Sequence, residues 1–390
     1  MPNMRLGGVD PSILRELSGV YKPFVKAFKE LISNAFDADA EHVSIDFAED
    51  FAWVRVSDDG TGMNPFEFRH DFTRIGGGSR RWGGEKTRGG RLRIGSKGIG
   101  FLAMARYCDR MSVASSGKRK FEFTTIIPET PGSLDISESL GVPIPTELLR
   151  DRMTCSVRAL TGRKKVLVED EHYTIHKQLK KLSIRRDVGP IEVNLSVKCE
   201  DLAFLATLDF SKLLQLADQA DLEHIDDFTS IDVFQREKPR DGPITTVTAD
   251  GLKPFVRREL KSDRRKGFVR NIGSSSGYEQ FLWQLSRCTP IPYAAEPDAN
   301  PAILDLLRQS GVSTLATLTS QHGSTENLLL RPVFPLLSDS AAIPEDMLVP
   351  VAINESGLKV TGFLAGYESI IFPAEYRPSA IRVISGLKRF

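Results

Sequence analysis

The first half of the chain carries clear periodic patterns of apolar positions. From residue 21 to residue 40 the apolar positions recur at helical spacing, which predicts an amphipathic helix. Residues 42–48 and 51–57 alternate between apolar and polar instead, which predicts a hairpin of two strands. The apolar stripe of the helix is formed by Phe24, Phe28, Leu31 and Ala35.

Weaker patterns divide the rest of the chain into two predicted domains. We expect an α+β domain over residues 1–200 and an α/β domain over residues 201–390. The last strand pattern runs almost to Phe390, which leaves open a continuation of the protein beyond it. In the first domain a helix is predicted at residues 169–183, and strands are predicted at residues 110–115, 120–126, 153–160 and 190–198.

Composition narrows the class of protein. Of the 390 residues 41% are hydrophobic, which is enough for folded cores and too much for a disordered chain. The 52 Lys and Arg residues balance the 51 Asp and Glu residues, so the overall charge does not indicate a polyanion-binding protein. Neither a membrane helix of ~20 apolar residues nor a secretory signal is present, and the four cysteines are far apart. A cytoplasmic protein without membrane, disulfide or zinc sites is expected.

Three short motifs carry the candidate chemistry. The first lies on the predicted helix, where Glu30, Asn34 and Asp37 share one face because they are four and three residues apart. A carboxylate can take a proton from water, and an amide oxygen can hold a magnesium ion that keeps most of its waters. Taken alone, a polar face of this kind is usually an ordinary solvated helix surface.

The second motif, Asp58-Asp-Gly-Thr-Gly-Met63, follows the second strand of the predicted hairpin. A strand that ends in this way brings the carboxylate of Asp58 to the edge of the sheet. Gly60 and Gly62 would let a flat ligand approach the backbone closely, although a simple glycine turn explains the same residues. Asn64 is a predicted N-cap of a short helix that follows.

The third motif ends a glycine-dense, basic stretch that is predicted to be a loop over residues 74–100. A helix is predicted directly after it. Backbone N–H groups and the positive end of the helix dipole could hold phosphate there, with Lys97 as a point charge. A bare flexible loop is the alternative. The motif consists of Gly95, Ser96, Lys97, Gly98, Ile99, Gly100 and Phe101.

In this order the three motifs resemble those of the GHKL ATPases, the superfamily of DNA gyrase B, the ninety-kilodalton heat-shock chaperone, histidine kinases, MutL and the MORC proteins. The resemblance covers residues 10–200 and is strongest to MORC-like and chaperone-like bacterial members. It implies a Bergerat fold, in which helices cover one face of a mixed sheet and ATP lies under a glycine-rich lid.

The resemblance also implies catalytic roles for the motif on the helix. Glu30 matches the general base that activates the attacking water, and Asn34 matches the ligand of Mg²⁺. Asp37 would hold water or a phosphate-side partner, or else have a structural role. ATP and Mg²⁺ are therefore the expected ligands.

For the nucleotide itself, the resemblance assigns Asp58 as the carboxylate that accepts a hydrogen bond from the adenine amino group. Gly60, Gly62 and Met63 lie on the adenine side, and the third motif faces the phosphates. Thr154 is similar to the family threonine that touches adenine, although Met153 stands where the family usually has glycine.

In several GHKL branches a second α/β domain sends a basic residue to the γ-phosphate. Residues 357–390 loosely resemble such a transducer segment. Each basic residue there is otherwise a solvated surface charge. The candidates for the sensing cation are Lys359, Arg377, Arg382 and Lys388.

Three functions remain open at this point. The first is an ATP-gated switch or clamp that forms a nucleotide-dependent homodimer, in DNA handling or antiviral defence. The second is a chaperone-like ATPase with protein clients, and the third is a regulatory module that hydrolyses little. A histidine kinase is disfavoured because no helical hairpin with a phosphoacceptor histidine precedes residue 21. Basic clusters at residues 80–93 and 257–266 could contact DNA, or could be solvated.

Overall fold

The computed structural model describes most of the first half of the chain and parts of the second. The segments 74–83 and 96–99 of the predicted glycine-rich loop lie outside the described residues, as does the predicted strand at residues 380–384. The described residues are 23–73, 84–95, 100–117, 119–128, 132–160, 167, 169, 173–176, 181–184, 189–219, 227–236, 245–262, 276–294, 305, 313–331, 348–355 and 358–365.

The helical elements are mostly short. A π-helical turn, Phe68–Phe72, directly follows the short α-helix at Pro65–Glu67, and a 3₁₀ helix spans Gly100–Met104. The α-helices are α1 (Phe24–Asp37), α2 (Pro65–Glu67), α3 (Ile136–Leu140), α4 (Thr146–Arg150), α5 (Phe210–Gln219), α6 (Pro254–Lys261) and α7 (Gly277–Cys288).

Strands supply most of the regular structure. They are β1 (His42–Phe47), β2 (Trp53–Asp58), β3 (Arg110–Ser116), β4 (Phe121–Ile127), β5 (Ser133–Asp135), β6 (Met153–Ala159), β7 (Tyr173–His176), β8 (Lys181–Ile184), β9 (Ile191–Val197), β10 (Leu202–Asp209), β11 (Thr229–Gln235), β12 (Thr245–Asp250), β13 (Thr317–His322), β14 (Thr325–Leu328), β15 (Leu348–Glu355) and β16 (Leu358–Ala365).

An eight-stranded sheet, in the order β11-β10-β3-β12-β2-β1-β13-β14, organises the first compact unit. The pairings from β11 to β1 are antiparallel, and the predicted hairpin of β1 and β2 is confirmed. At the end of β13, His322 stacks on Phe51, which lies beyond the end of β1. The large sheet is mixed.

This unit extends further along the chain than the boundary at residue 200 that the sequence suggested. It comprises Met1–Val256 and Thr319–Glu326. The reason is that β12 fills the place between β2 and β3, so strands on both sides of residue 200 share one hydrogen-bonded sheet.

One face of the sheet is the core face, and its strand registers align side chains in rows. One row crosses five strands as Phe47, Val54, Ala249, Met111 and Leu208. The next row crosses them as Ile45, Val56, Val247, Val113 and Ala206. These rows form an apolar surface, which must be covered by other elements to be shielded from water.

Helix α1 provides much of that cover. Its apolar stripe is buried as predicted, and the ring of Phe28 stacks on Phe47 of β1 with 6.2 Å between the centroids. Phe24 packs against Tyr107, just after the 3₁₀ helix. Phe68 from the π-helical turn contacts Phe204 of β10. Helical segments therefore cover the core face and fix α1 above the sheet.

Two smaller sheets follow the first motifs, with orders β4-β9-β6 and β5-β8-β7. The helix predicted at residues 169–183 is wrong: β7 and β8 pair there as antiparallel strands. Tyr173 is buried at the start of β7, and Leu182 and Ile184 are buried on one side of β8. Burial alternates along β8, as expected for a strand with one buried face, and Tyr173 of β7 lies directly opposite Ile184.

The second compact unit comprises Arg257–Leu318 and Asn327–Phe390. Helix α7 begins with a capping box in which Ser276 and Glu279 satisfy each other's backbone N–H groups. Strands β15 and β16 pair as an antiparallel hairpin. In the part of the chain that the structure describes, none of the helices combines the length and apolarity needed to cross a membrane.

Candidate functional site

The core face becomes polar along its third row, at the end of β2. This row crosses the same five strands, and all its members are buried, Asp58 being 7% exposed and Thr245 and Ser115 each 5%. Carboxyl and hydroxyl groups at the end of an otherwise apolar sheet face indicate a binding site rather than a packing surface. We call it the polar row; it consists of Val43, Asp58, Thr245, Ser115 and Phe204.

Asp58 is the member of the polar row whose burial costs the most free energy when it is charged. Burial raises the pKa of its carboxyl to about 7, with Asp59 adding a smaller increase and the backbone N–H of Gly60 opposing it. The Gly60 N–H donates to Oδ1 of Asp58 at 3.0 Å. A buried carboxyl group with so strongly raised a pKa is typical of functional sites.

The loop after Asp58 is held against the end of α1. Asp59 accepts hydrogen bonds from the backbone N–H groups of Glu41 and His42, each at 2.8 Å. Gly60 lies so close that an added Cβ would be 2.8 Å from the carbonyl oxygen of Ala38. This glycine is therefore required by the protein's own packing, whereas Gly62 is required by its positive φ of 64°.

Two hydroxyl groups connect this loop to the polar row. The backbone N–H of Met63 donates to Ser115 Oγ at 3.0 Å, and Ser115 Oγ lies 2.8 Å from Thr245 Oγ1. Thr245 is directly opposite Asp58 in the β12–β2 pairing and directly opposite Ser115 in the β12–β3 pairing. The motif loop, Asp58 and the two hydroxyls therefore form one connected group.

Thr154 lies elsewhere. It belongs to β6, in the β4-β9-β6 sheet, and not to the eight-stranded sheet that holds Asp58. Its side chain is exposed, and its hydroxyl donates to the carbonyl oxygen of Ser196 at 3.5 Å. The structure does not bring Thr154 into the polar row.

The helix motif faces the end of the glycine motif. A Cβ added to Gly100 would lie 3.6 Å from Oε2 of Glu30 and 3.7 Å from Oδ1 of Asn34. Phe101 follows Gly100 in the 3₁₀ helix, while Ser96, Lys97, Gly98 and Ile99 lie outside the described residues. Glu30 and Asn34 are thus brought together beside backbone that carries no side chain.

Asp37, the third residue of the helix face, has both carboxylate oxygens occupied by backbone groups. Its Oδ1 accepts from the N–H of Ile94 at 2.8 Å, and its Oδ2 accepts from the N–H of Gly95 at 2.9 Å. Of the two roles expected from the sequence, this geometry favours the structural one.

The residues beside Gly100 fit a magnesium ion that is shared with a nucleotide. Mg²⁺ usually keeps several waters and takes only one or two protein oxygens plus phosphate oxygens. Asn34 supplies an amide oxygen and Glu30 a carboxylate next to an open glycine backbone. Within the described residues, no group of three or more His, Cys, Asp or Glu side chains is arranged to hold a metal ion without a nucleotide.

Residues 21–130 match the family described as Histidine kinase-, DNA gyrase B-, and HSP90-like ATPase. This segment is therefore similar to the GHKL ATPase domains that the three motifs resemble. The match spans α1, the β1–β2 hairpin and the glycine motif, and the large mixed sheet with its covering helices is consistent with a Bergerat-type fold. This match supports ATP binding and ATPase activity.

A relative from Herpetosiphon aurantiacus is described as "Putative type II restriction enzyme HgiDII". It is 37% identical to this chain over 86 residues. The alignment covers 22% of this chain and 14% of that protein, so the chain spans only a small part of its relative.

Two members of the polar row were not found from the sequence. Thr245 and Ser115 lie in strands far from the motif of Asp58, and no local pattern marks them. The signal that finds them is the register of the sheet, which brings Ser57 and Thr246, 189 residues apart, within 3.2 Å.

Proposed function

We propose that the chain binds ATP with its adenine on the polar row and hydrolyses it with the help of Mg²⁺. The observation that carries the proposal is the juxtaposition of two features. The first feature is Asp58, whose buried carboxyl with a raised pKa lies at one end of the β1–β2 hairpin. The second is the face of α1 that carries Glu30 and Asn34 and lies beside Gly100.

On the adenine side, Asp58 would accept a hydrogen bond from the amino group of the base. Guanine carries a carbonyl oxygen at the corresponding position and could not donate there. Thr245 replaces Thr154 in this proposal, because Thr245 lies opposite Asp58 whereas Thr154 belongs to another sheet. Ser115 would orient the Thr245 hydroxyl and hold Met63 at the side of the base.

On the phosphate side, Glu30 would orient the attacking water and take its proton. Asn34 would hold Mg²⁺, which supplies charge neutralisation at the phosphates when it is bound. Hydrolysis of ATP needs mainly positioning and charge stabilisation, so one carboxylate beside an open glycine backbone is a sufficient protein contribution. Asp37 would act on this side only through the backbone of Ile94 and Gly95.

The first test is the nucleotide dependence of turnover. The full chain should hydrolyse ATP only with Mg²⁺ present and should hydrolyse GTP at least about tenfold more slowly, the effect of one lost hydrogen bond to a charged group. Equal turnover of both nucleotides would contradict the assignment of Asp58 to the adenine amino group.

For the biological role, we propose an ATP-gated switch or dimeric clamp in DNA handling, of the kind that antiviral defence would use. The support is the local similarity to a protein described as a restriction enzyme, a class that acts on DNA. The similarity covers 14% of that protein, so it supports DNA handling over a chaperone function without assigning a DNA sequence or a nuclease. A chaperone-like ATPase and a regulatory module that hydrolyses little are the alternatives.

Two measurements separate these roles. A clamp should change from monomer to dimer on addition of a non-hydrolysable ATP analogue, as seen by light scattering, and duplex DNA should raise its ATP turnover. Turnover that responds to unfolded protein and not to DNA would favour the chaperone. A chain that binds ATP but hydrolyses none would favour the regulatory module.

A further inference from the structure

Residues 84–95 form a compact turn that leads directly into the glycine motif at Gly95. Lys86 and Leu92 pair as an antiparallel bridge. Inside that bridge the N–H of Thr87 donates to the carbonyl oxygen of Arg91 at 2.8 Å, and the N–H of Gly90 donates to that of Thr87 at 3.1 Å. Internal backbone hydrogen bonds therefore stabilise the turn, so that a few contacts are enough to fix its position against α1.

Asp39 is the first of those points. Its Oδ1 accepts from the hydroxyl of Thr87 at 2.5 Å, and its Oδ2 accepts from the N–H of Gly89 at 2.9 Å. The same Thr87 hydroxyl accepts from the N–H of Arg91 at 3.0 Å. A Cβ on Gly89 would lie 2.6 Å from Asp39 Oδ1, so this backbone approaches as closely as glycine permits. We call this set of bonds the clasp.

The backbone at Asp39 supports a dedicated role for its side chain. Its φ is 61°, a left-handed conformation in which most residues with a Cβ are strained and glycine is preferred. Aspartate is among the residues that tolerate this conformation best, and it brings a carboxylate that glycine lacks. The hydrogen bonds to Thr87 and Gly89 therefore explain why an aspartate, and not a glycine, occupies this position.

Asp37 and Arg91 extend the same attachment. Asp37 accepts from the N–H groups of Ile94 and Gly95, and the guanidinium of Arg91 donates to the carbonyl oxygen of Ala40 at 2.5 Å. Two carboxylates at the C-terminal end of α1 face the negative end of its dipole, which is unfavourable for anions. The N–H and hydroxyl donors of the turn offset that cost.

We propose that Asp39 is a positioning residue for ATP hydrolysis, because its clasp on Thr87 and Gly89 fixes the turn that brings Gly95 to the phosphate side of the site. This inference rests on the proposed ATPase function. Asp39 touches neither nucleotide nor water in the reaction. It acts through the backbone between Thr87 and Gly95, which Asp37 ties to the helix that also bears Glu30 and Asn34.

The test compares two substitutions of Thr87, which is buried. Thr87→Val keeps the shape of the side chain and removes the hydroxyl, whereas Thr87→Ser keeps the hydroxyl. Opening the clasp should lower kcat about tenfold in the valine variant, the equivalent of about 1.4 kcal/mol in the barrier. The serine variant should stay within about twofold of the wild type, and the KM for ATP should change less than kcat in both.

Two further measurements keep the inference falsifiable. The Gly89 amide should exchange its hydrogen about tenfold faster in Thr87→Val than in Thr87→Ser, because without the Thr87 hydroxyl only the bond from Gly89 to Asp39 holds the clasp, which then opens more often. Asp39→Gly can keep the positive φ without strain and removes the carboxylate of the clasp, so it should fold and should lose kcat as Thr87→Val does.

Equal exchange in both Thr87 variants would overturn the clasp itself. Faster exchange with unchanged kcat would overturn the positioning role while leaving the clasp in place. A wild-type chain that hydrolyses no ATP would overturn the proposed function and with it the positioning role, and the exchange measurement would still decide whether Asp39 holds the turn.

Discussion

The two sides of the candidate site are built in different ways. The polar row, the proposed adenine side, crosses five strands, and its three polar members, Asp58, Thr245 and Ser115, are placed by the register of neighbouring antiparallel strands. The phosphate side is built from one helix face and a loop that reaches α1 through side-chain-to-backbone hydrogen bonds. Sheet register is fixed by many backbone bonds, whereas the attachment of the loop depends on a few carboxylate contacts.

In the proposed function, this difference separates recognition of the base from hydrolysis at the phosphates. A buried row that cannot shift without moving the whole sheet is suited to selecting one base. A loop that is attached at Asp37 and Asp39 can be released or fixed by small changes in free energy, which suits the part of the site that must respond to the phosphates. Substitutions on the two sides should therefore affect different quantities, affinity for the base on one side and turnover on the other.

The largest effect is expected on the reaction side. Glu30→Gln keeps the size of the side chain but removes the base, so kcat should fall by about 10²–10⁴-fold while ATP affinity stays nearly unchanged. Glu147→Gln, which changes an exposed carboxylate on α4, is the matched control and should keep full turnover. Steady-state ATPase assays with a parallel binding titration make the comparison. Normal turnover in Glu30→Gln would remove Glu30 from the mechanism.

The next effect is a pH-dependent cost on the adenine side. Folding raises the pKa of Asp58 from its ordinary value of 3.8 to about 7, so the native state holds more protons between these values and loses stability as the pH rises through this window. An asparagine side chain at this position would carry no such penalty. The gain in unfolding free energy from Asp58→Asn should be small at pH 4 and reach on the order of 4 kcal/mol at pH 8.

Urea unfolding of the wild type and of Asp58→Asn at both pH values measures this gain. A gain that is the same at pH 4 and pH 8 would show that Asp58 is not a buried group with a raised pKa.

The same substitution should weaken binding although it strengthens the fold. With asparagine at this position, the adenine amino group would face a neutral amide in place of a charged carboxylate acceptor. ATP affinity should therefore fall by about 10–100-fold at pH 8. Isothermal titration with ATP measures the change. If Asp58→Asn bound ATP as tightly as the wild type, the carboxylate would have no part in recognising the base.

A smaller effect distinguishes the two threonines. Thr245→Val removes a hydroxyl from the polar row and should weaken ATP binding about tenfold, the typical cost of a buried hydrogen bond left incomplete. Thr154→Val, on an exposed position of another sheet, should leave the affinity unchanged. The reverse result would place the base beside β6 and move the site away from the polar row.

Local features of the fold and site could be predicted from the sequence. The helix stripe, the hairpin and the N-cap at Asn64 depend on neighbouring residues, and each is found where predicted. Thr245 could not be found, because β12 pairs with β2 although 186 residues separate Asp58 from the start of β12, and no local pattern marks such a long-range pairing. The 169–183 segment was misjudged because its apolar residues suit a helix until pairing of β7 with β8 buries Tyr173 and Leu182.

The boundary at residue 200 has the same origin. Local strand patterns do not show which strands share a sheet, and the eight-stranded sheet takes β10 and β12 from beyond residue 200. The role of Asp37 also depends on long-range structure, since its partners Ile94 and Gly95 lie 57 and 58 residues away. Sequence spacing identified the carboxylate, and only the fold could identify what it binds.

The most direct test of the central claim is a crystal structure of the chain with Mg²⁺ and a non-hydrolysable ATP analogue. The adenine amino group should lie about 3 Å from a carboxylate oxygen of Asp58, with the base beside Thr245 and the phosphates toward Gly100. A base bound away from the polar row, or phosphates on the side of the sheet opposite α1, would contradict the account.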